Sequence, residues 1–442
     1  MLPGLKSNVN ALFLDRDGVV NELVKQNGLY RSPRTAEEFR LIPGLVQFVR
    51  GLKNAGYLPV IVSNQPEIAR GLVTRETVDS FHGRIEAEAD IHHFYVCYHD
   101  NDTGCDCRKP KPGLIFQAAA DLNIDLHNSV LVGDREKDMM AAQSAGVQAF
   151  LWGNHSVQGY ENFNDFRELA GTIVSLATFN AKTEILGVNL YSDSLSSAVA
   201  AVVQFAKHKV GKPNRCISAT GAHGLVVSRS QPYFHQLLNS FCLNLPDGMP
   251  AVWLGKLKGA RKMQRCYGPV FFELVMRYSA STGIKHFLCG GKDGVADELR
   301  RVCELKFSNV NCVGTFSPPF RQMSQQEFES LGNRITLSNA DIVWIGLSTP
   351  KQEFFAATLA PYVTSRFIVT VGAAFDFHTG RVKQAPKVVQ TLGMEWLFRL
   401  LMEPRRLWKR YFTIVPLFIY YNLIELLNGQ FFVTKTEEDY SA

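Results

Sequence analysis

The sequence predicts an α/β protein of two domains, each built on a buried, largely parallel sheet. Three observations carry this. The chain has 442 residues, too many for one ordinary hydrophobic core. Short apolar runs such as residues 11–14 read as buried parallel strands and end abruptly in carboxylates, hydroxyls or glycines. From residue 184 onward a second series of such runs alternates with helical stretches, which calls for a second α/β unit. A hydrophobic content of 46% and a charged content of 20% describe an ordered chain. The formal net charge of +6 is mild, so the placement of the cations matters more than their sum.

The first strand opens into Asp15-Arg16-Asp17-Gly18. Carboxylates at i and i+2 beyond a strand's carboxyl end sit where α/β sheets bind ligands. Such a pair suits Mg²⁺, with one member as nucleophile and the other as acid and base. Residues 58–65 form the next strand and bring Ser63 and Asn64, a hydroxyl and an amide suited to a phosphoryl oxygen. Arg108-Lys109-Pro110-Lys111-Pro112 supplies cations for phosphate charge. A third strand from Ser129 ends in Asp134, with Asp138 one helical turn on. Each strand end carries a group that phosphoryl transfer needs.

Of nine cysteines, three crowd between positions 97 and 107. Cys97, His99, Cys105 and Cys107 offer three thiolates and one imidazole, a set for tetrahedral Zn²⁺ with no open position and hence a structural role. Such clustering belongs to a reducing compartment. The N-terminus lacks a signal-peptide pattern, and no plain transmembrane run occurs. The cytoplasm is the expected location.

The order D-x-D-G, S-N-Q, R-K-P-K-P, G-D-x-x-x-D resembles the haloacid dehalogenase-like phosphatases, within the branch of heptose 1,7-bisphosphate and histidinol phosphatases. The resemblance covers about residues 8–155 and implies a Rossmannoid parallel sheet with a zinc loop. It implies that Asp15 attacks phosphorus and that Asp17 protonates the leaving oxygen and later activates water. Asp15, the Asp17 carbonyl and Asp134 would hold Mg²⁺, Ser63 and Lys109 would stabilise the phosphoryl oxygens, and Arg108 and Asn64 would contact substrate. Asp138 would cap its helix or orient Lys109. The Zn²⁺ loop would brace Arg108 and Lys109. Pro66-Glu67 departs from the family's small residue and glycine, and the short metal loop leaves heptose and histidinol substrates both open.

Residues 152–182 are mixed and polar, and the boundary is expected between about 170 and 183, with domains at 1–175 and 184–442. In the second half the strand candidates are residues 215–219, 286–289, 340–346 and 366–372. The loops after them carry glycine or cations. Gly290-Gly291-Lys292 follows a strand and precedes a helix, where backbone N–H groups can meet a diphosphate. Lys351, Gln352 and Glu353 stand at a helix start, and Asp247 occupies a turn.

P-D-G at 246–248, Arg265 with Tyr267-Gly268, G-G-K at 290–292, T-P-K-Q-E at 349–353 and V-G-A-A-F-D-F at 371–377 together resemble the WecG/TagA/CpsF glycosyltransferases, as does the long segment 380–406. The resemblance implies transfer of an N-acetylmannosamine-type sugar from a UDP-sugar donor to a polyprenyl-diphosphate-linked acceptor. It makes Asp247 the base for the acceptor hydroxyl. The family's T-x-N becomes Ser218-Ala219-Thr220, whose hydroxyls would bind the donor beside Arg265, Gly290, Gly291, Lys351, Gln352 and Glu353. The lost amide leaves a non-catalytic, sugar-nucleotide-binding or scaffolding module as the alternative for this half.

In the tail, residues 380–442, Arg405, Arg406, Lys409 and Arg410 interleave with aromatic residues. An apolar run broken by Pro416, Asn422 and Glu425 follows. This suits a helix lying on an anionic membrane surface, at the inner face of the cytoplasmic membrane. The alternative is a core helix with a basic solvated face. Nucleic acid is not an expected partner, because the cations accompany an apolar run. The composite expectation is a phosphatase fused to a glycosyltransferase of surface-polysaccharide synthesis.

Overall fold

The computed structural model describes residues 9–100, 103–160, 162–207, 215–391 and 393–427. Residues 428–442 of the expected tail, Leu392 and the Arg406 side chain lie outside them. The chain divides into two compact units between Ala177 and Thr178.

In the first unit β1 (Asn10–Leu14) leads into a short antiparallel hairpin, β2 (Val24–Gln26) and β3 (Leu29–Arg31). Then come β4 (Tyr57–Asn64), β5 (His93–Cys97), β6 (Val130–Gly133), β7 (Gln148–Trp152) and β8 (Asn162–Phe163). Apart from the hairpin these strands form one parallel sheet in the order β5-β4-β1-β6-β7-β8. Successive side chains of β1 point to opposite faces. Leu12 and Leu14 enter one core with Phe39 and Phe48, while Ala11 and Phe13 enter the other with Val60 and Leu131. Two covered faces explain why β1 reads as an unbroken apolar run rather than an alternating one. The chain winds outward from β1 in both directions, so its carboxyl end opens on the crevice where such sheets place ligands.

The stretch 152–182, read as a polar join, folds instead. It contains β8 and the helix Phe166–Asn180. Phe166, Leu169 and Ile173 recur at helical spacing and are buried in the first unit. Their polar neighbours masked the periodicity.

The second unit begins with the antiparallel pair β9 (Lys182–Ile185) and β10 (Val188–Tyr191). Then follow β11 (Arg215–Thr220), β12 (Leu243–Pro246), β13 (His286–Gly290), β14 (Cys312–Phe316), β15 (Ile342–Gly346) and β16 (Phe367–Thr370). These six are parallel in the order β12-β11-β16-β15-β13-β14. Apart from Arg265 to Gly268 and the segment 380–406, the sequence motifs fall at the carboxyl ends of these strands, so one edge of the sheet gathers them. Gly290 and Gly346 are register partners there. A Cβ on Gly290 would lie 2.5 Å from the Gly346 carbonyl oxygen, at φ +153°, so only glycine fits.

Candidate active sites

In the first unit Asp15 follows β1, Ser63 closes β4 and Asp134 follows β6, on three neighbouring strands. The Asp15 amide donates to the Val132 carbonyl at 3.0 Å, which holds its carboxylate at the crevice floor. Lys109 arrives from the loop before the helix Gly113–Leu122 and is 2% exposed. Its Nζ meets Asp15 Oδ1 at 2.7 Å, Asp138 Oδ1 at 2.6 Å and the Val62 carbonyl at 2.8 Å. Asp138 also accepts from the Arg135 amide at 3.1 Å, so it both caps its helix and pairs with Lys109. Burial pushes the Asp15 carboxyl up, with the Lys109 charge opposing. Burial lowers the Lys109 pKa, but Asp138 and Asp15 overcome it and raise it overall.

Asp15, Asp134 and Asp138 bring carboxylate oxygens within 4.8 Å of one another. Both Asp134 oxygens are buried without a hydrogen-bond partner among the described residues. The half-exposed Arg135 approaches one of them only to 3.5 Å. Burial, then Asp15 and Asp138, push Asp134 up to about 7. With all three carboxylates ionised, the cluster with one ammonium carries two net negative charges. The donor set therefore fits one divalent cation with oxygen preference. Gly18 completes the cradle: at φ +95° its Cβ would stand 2.5 Å from an Asp134 oxygen.

Asp17 is placed differently. Its Oδ1 accepts from Arg16 Nε at 3.2 Å, Arg16 Nη2 at 3.0 Å and Asn21 at 3.0 Å. Its Oδ2 accepts from Gln65 Nε2 at 2.7 Å, Ser32 at 3.0 Å and Arg16 Nη2 at 3.0 Å. Burial raises its pKa, but Arg16, Gln65 and Asn21 together hold it below the ordinary carboxylate range. The carboxylate is thus caged in its ionised form. Asn64, expected at substrate, uses both ends of its amide on the Lys109 backbone, at 3.0 and 3.1 Å. It clamps the loop that delivers Lys109. Arg108 is half-buried and donates to the His99 carbonyl at 3.2 Å. Arg16, Asn21 and Ser32 were missed by sequence reasoning; only Arg16, inside the D-x-D motif, carried a signal.

Cys97, His99, Cys105 and Cys107 converge with all four ligand atoms within 4.8 Å. Cys97 and Cys105 sulfurs are 3.7 Å apart, and His99 Nδ1 lies 3.6 Å from Cys97 and 3.3 Å from Cys107. A zinc tetrahedron with Zn–S of about 2.3 Å has an S···S edge of about 3.8 Å, so these dimensions fit that ion.

In the second unit Asp247 sits just beyond β12, partly buried. Its Oδ1 accepts from the Gly268 amide at 2.8 Å, and its carbonyl accepts from Arg265 Nε at 2.7 Å. Arg265 lies over the Tyr267 ring at 4.1 Å and pairs with Glu395 and Gln390 of the C-terminal segment. Burial pushes the Asp247 carboxyl up, against the Arg265 charge.

Ser218 and Thr220, expected to reach the donor, are buried and bonded inward. Ser218 Oγ donates to Glu353 Oε1 at 3.0 Å, and Thr220 Oγ1 donates to Ser218 at 3.1 Å. Glu353 also accepts from Thr349 at 3.1 Å and Gln352 at 2.8 Å. Its other oxygen is buried without a hydrogen-bond partner among the described residues, and burial raises its pKa. Gln352 also accepts from the Gly372 amide at 2.9 Å, tying the loop after β15 to that after β16. The Gly291 amide, expected at a diphosphate, donates to the Gly346 carbonyl at 3.1 Å. Lys351 is exposed at its helix start.

The helix Pro404–Leu427 packs through Leu407 and Phe418. Asn422 and Glu425, which interrupt its apolar run in sequence, point inward: Glu425 pairs with Lys258 at 2.8 Å, and Asn422 bonds the Phe418 carbonyl. Arg410 bonds His223 at 2.8 Å. The outward face is therefore apolar and aromatic, exposing Trp408, Phe412, Ile419, Tyr420 and Leu423. Among the described residues no helix is long and apolar enough to cross a membrane.

Fold and sites define a hydrolase fused to a transferase. Residues 183–431 match the family model of the glycosyl transferase WecG/TagA/CpsF family, and residues 5–146 match that of haloacid dehalogenase-like hydrolases. The chain belongs to both families, one in each half. Two curated relatives are D-glycero-beta-D-manno-heptose-1,7-bisphosphate 7-phosphatases. That of Vibrio cholerae serotype O1 is 40% identical over 149 residues, 31% of this chain and 77% of the relative. That of Pseudomonas putida is 38% identical over 148 residues, 32% and 80%. A crystal structure of D,D-heptose 1,7-bisphosphate phosphatase from B. bronchiseptica, with magnesium and phosphate, is 28% identical, covers 37% of this chain and 96% of its own, and has a TM-score of 0.33.

Proposed function

We propose that the first half is a Mg²⁺-dependent phosphatase acting on heptose 1,7-bisphosphate through an aspartyl-phosphate. The second half transfers an N-acetylmannosamine-type sugar from its UDP donor to a polyprenyl-diphosphate-linked sugar. One observation carries the phosphatase reading: Lys109 joins Asp15 beside a buried Asp134 carboxylate that has no hydrogen-bond partner among the described residues. Asp15 attacks phosphorus, and the P–O bond to the sugar breaks as Asp17, which has to take up a proton against the hold of Arg16, Gln65 and Asn21, gives that proton to the leaving oxygen. Asp17 then takes a proton from the water that splits the aspartyl-phosphate, and inorganic phosphate leaves. Ser63 and Lys109 hold the phosphoryl oxygens. Asp15, the Asp17 carbonyl and Asp134 would hold Mg²⁺, which when bound would supply charge neutralisation at the phosphoryl group. Cys97, His99, Cys105 and Cys107 would hold Zn²⁺, which would stiffen the segment presenting Arg108 and Lys109.

In the second half Asp247 takes the acceptor's hydroxyl proton as that oxygen attacks the donor's anomeric carbon and UDP leaves. The buried network on Glu353 shapes the donor side. The apolar outer face of the helix Pro404–Leu427, flanked by Arg405 and Lys409, rests on the anionic inner face of the cytoplasmic membrane, where a lipid-linked acceptor resides. Heptose supply and sugar transfer then serve one surface polysaccharide. The test compares phosphate release by the full chain with Mg²⁺ on heptose 1,7-bisphosphate and on histidinol phosphate. Preference for the heptose supports the proposal; preference for histidinol phosphate overturns the substrate and the shared pathway.

A further inference from the structure

We propose that Gln65 is a positioning residue of the phosphatase half, aiming the Ser63 hydroxyl at the phosphoryl group while holding the Asp17 carboxylate in place. This rests on the roles given above to Asp15, Ser63 and Asp17. Gln65 is 2% exposed, and its amide donates to the Cys97 carbonyl at 2.7 Å, so its backbone is tied to the end of β5. Arg16 Nη2 donates to its side-chain Oε1 at 2.8 Å. A guanidinium can only donate, which leaves one orientation for the Gln65 amide. Nε2 must then face Asp17 Oδ2, at 2.7 Å, and Ser63 Oγ, at 2.9 Å. Its two hydrogens serve one acceptor each.

The consequence falls on Ser63. Because Ser63 accepts from Gln65, its own hydrogen is turned away from Gln65, and no described residue receives it. Lys109 Nζ touches both Asp15 and the carbonyl of Val62, the residue before Ser63. The O–H left over belongs to the residue next to that carbonyl, and the role given to Ser63 above directs it to a phosphoryl oxygen. One buried amide thus orders a donor for the phosphoryl group and the carboxylate that serves the leaving group.

The experiment uses the full chain with Mg²⁺ and reads kcat/KM, which covers events up to the transfer onto Asp15. The substrates are heptose 1,7-bisphosphate, whose alkoxide leaving group needs a proton, and p-nitrophenyl phosphate, whose leaving group does not. Gln65→Met keeps the shape and removes both donors. It should lower kcat/KM for the aryl ester roughly tenfold, the weight of one misdirected hydrogen bond, and for the sugar phosphate by roughly a further tenfold. On a Ser63→Ala background the aryl loss should shrink and the additional sugar-phosphate loss should persist. If Gln65→Met does not fold, Gln65→Leu, which also removes both donors and adds no charge, should give the same pattern. Unchanged kinetics, or equal losses on both substrates that add fully to Ser63→Ala, would overturn the proposal. Asp17→Asn separates the two levels. Should it hydrolyse the sugar phosphate at the wild-type rate, the role of Asp17 itself fails; should it lose that activity while Gln65→Met shows no difference between substrates, only the positioning role fails.

Discussion

Binding of Mg²⁺ to the first unit should release a proton. Asp134 has both oxygens buried without hydrogen bonds, and its pKa rises to about 7 from an ordinary 3.8. A carboxylate must be ionised to ligate Mg²⁺, so a protonated Asp134 has to lose its proton first. At pH 6 a group of pKa about 7 is about 90% protonated, and at pH 8 about 10%. Uptake of one Mg²⁺ should therefore release about 0.9 proton at pH 6 and about 0.1 at pH 8, with apparent affinity about tenfold weaker at the lower pH. Titration calorimetry of Mg²⁺ into metal-depleted protein, in buffers of different ionisation enthalpy, reads both quantities. Asp134→Asn should abolish the proton release and most of the binding. Equal affinity at pH 6 and pH 8, with no proton released at either, would refute the raised Asp134 pKa, and undiminished Mg²⁺ binding by Asp134→Asn would refute its assignment as ligand.

Other outcomes follow from the same geometry. In the metal-free protein the raised Asp134 pKa means the folded state binds a proton more tightly than the unfolded chain. Stability of the first unit should thus fall as pH rises from about 4 to about 7, and added Mg²⁺ should remove that slope; calorimetric melting across the window reads it. Lys109→Met leaves Asp15, Asp134 and Asp138 without their shared cation, and Asp15 is then pushed further up. Phosphate release at saturating substrate should drop about 100- to 1,000-fold. Asp247→Asn keeps an acceptor for the Gly268 amide but loses the base, so UDP release should fall at least about 100-fold with the fold intact. The wild-type transfer rate should rise with pH along a limb above the ordinary carboxylate range, since Asp247 is raised. Replacing Trp408, Phe412 and Leu423 together by serine removes side chains that are 49%, 72% and 51% exposed. Sedimentation with anionic phospholipid vesicles should weaken about tenfold or more, without loss of thermal stability.

Much of the phosphatase site was legible because its groups stand at strand ends, where position along the chain translates directly into position at the crevice. Asp15, Ser63 and Asp134 follow three adjacent strands, and a reader of the sequence could line them up without knowing any contact. The contacts themselves were not legible. Gln65 meets Arg16 across 49 positions and Asp17 across 48, so its orientation is a product of sheet order. Asn64 carries the amide expected at substrate, yet its backbone clamp on Lys109 spans 45 positions. In the second half the hydroxyls of Ser218 and Thr220 read as donor contacts, because nothing local shows that Glu353, 135 positions on, takes the first of them. The final helix shows the same limit in reverse. Asn422 and Glu425 looked like breaks in an apolar run until burial placed them on the inner face with Phe418 and Lys258.

The central claim is that one chain holds two separate active centres. The most direct measurement assays phosphate release from heptose 1,7-bisphosphate and UDP release from UDP-N-acetylmannosamine, with a lipid-diphosphate-linked acceptor, on full-length wild type, Asp15→Asn and Asp247→Asn. The expected result is reciprocal: Asp15→Asn loses phosphate release and keeps UDP release, and Asp247→Asn does the opposite. Phosphate release surviving in Asp15→Asn, or UDP release surviving in Asp247→Asn, would contradict the account.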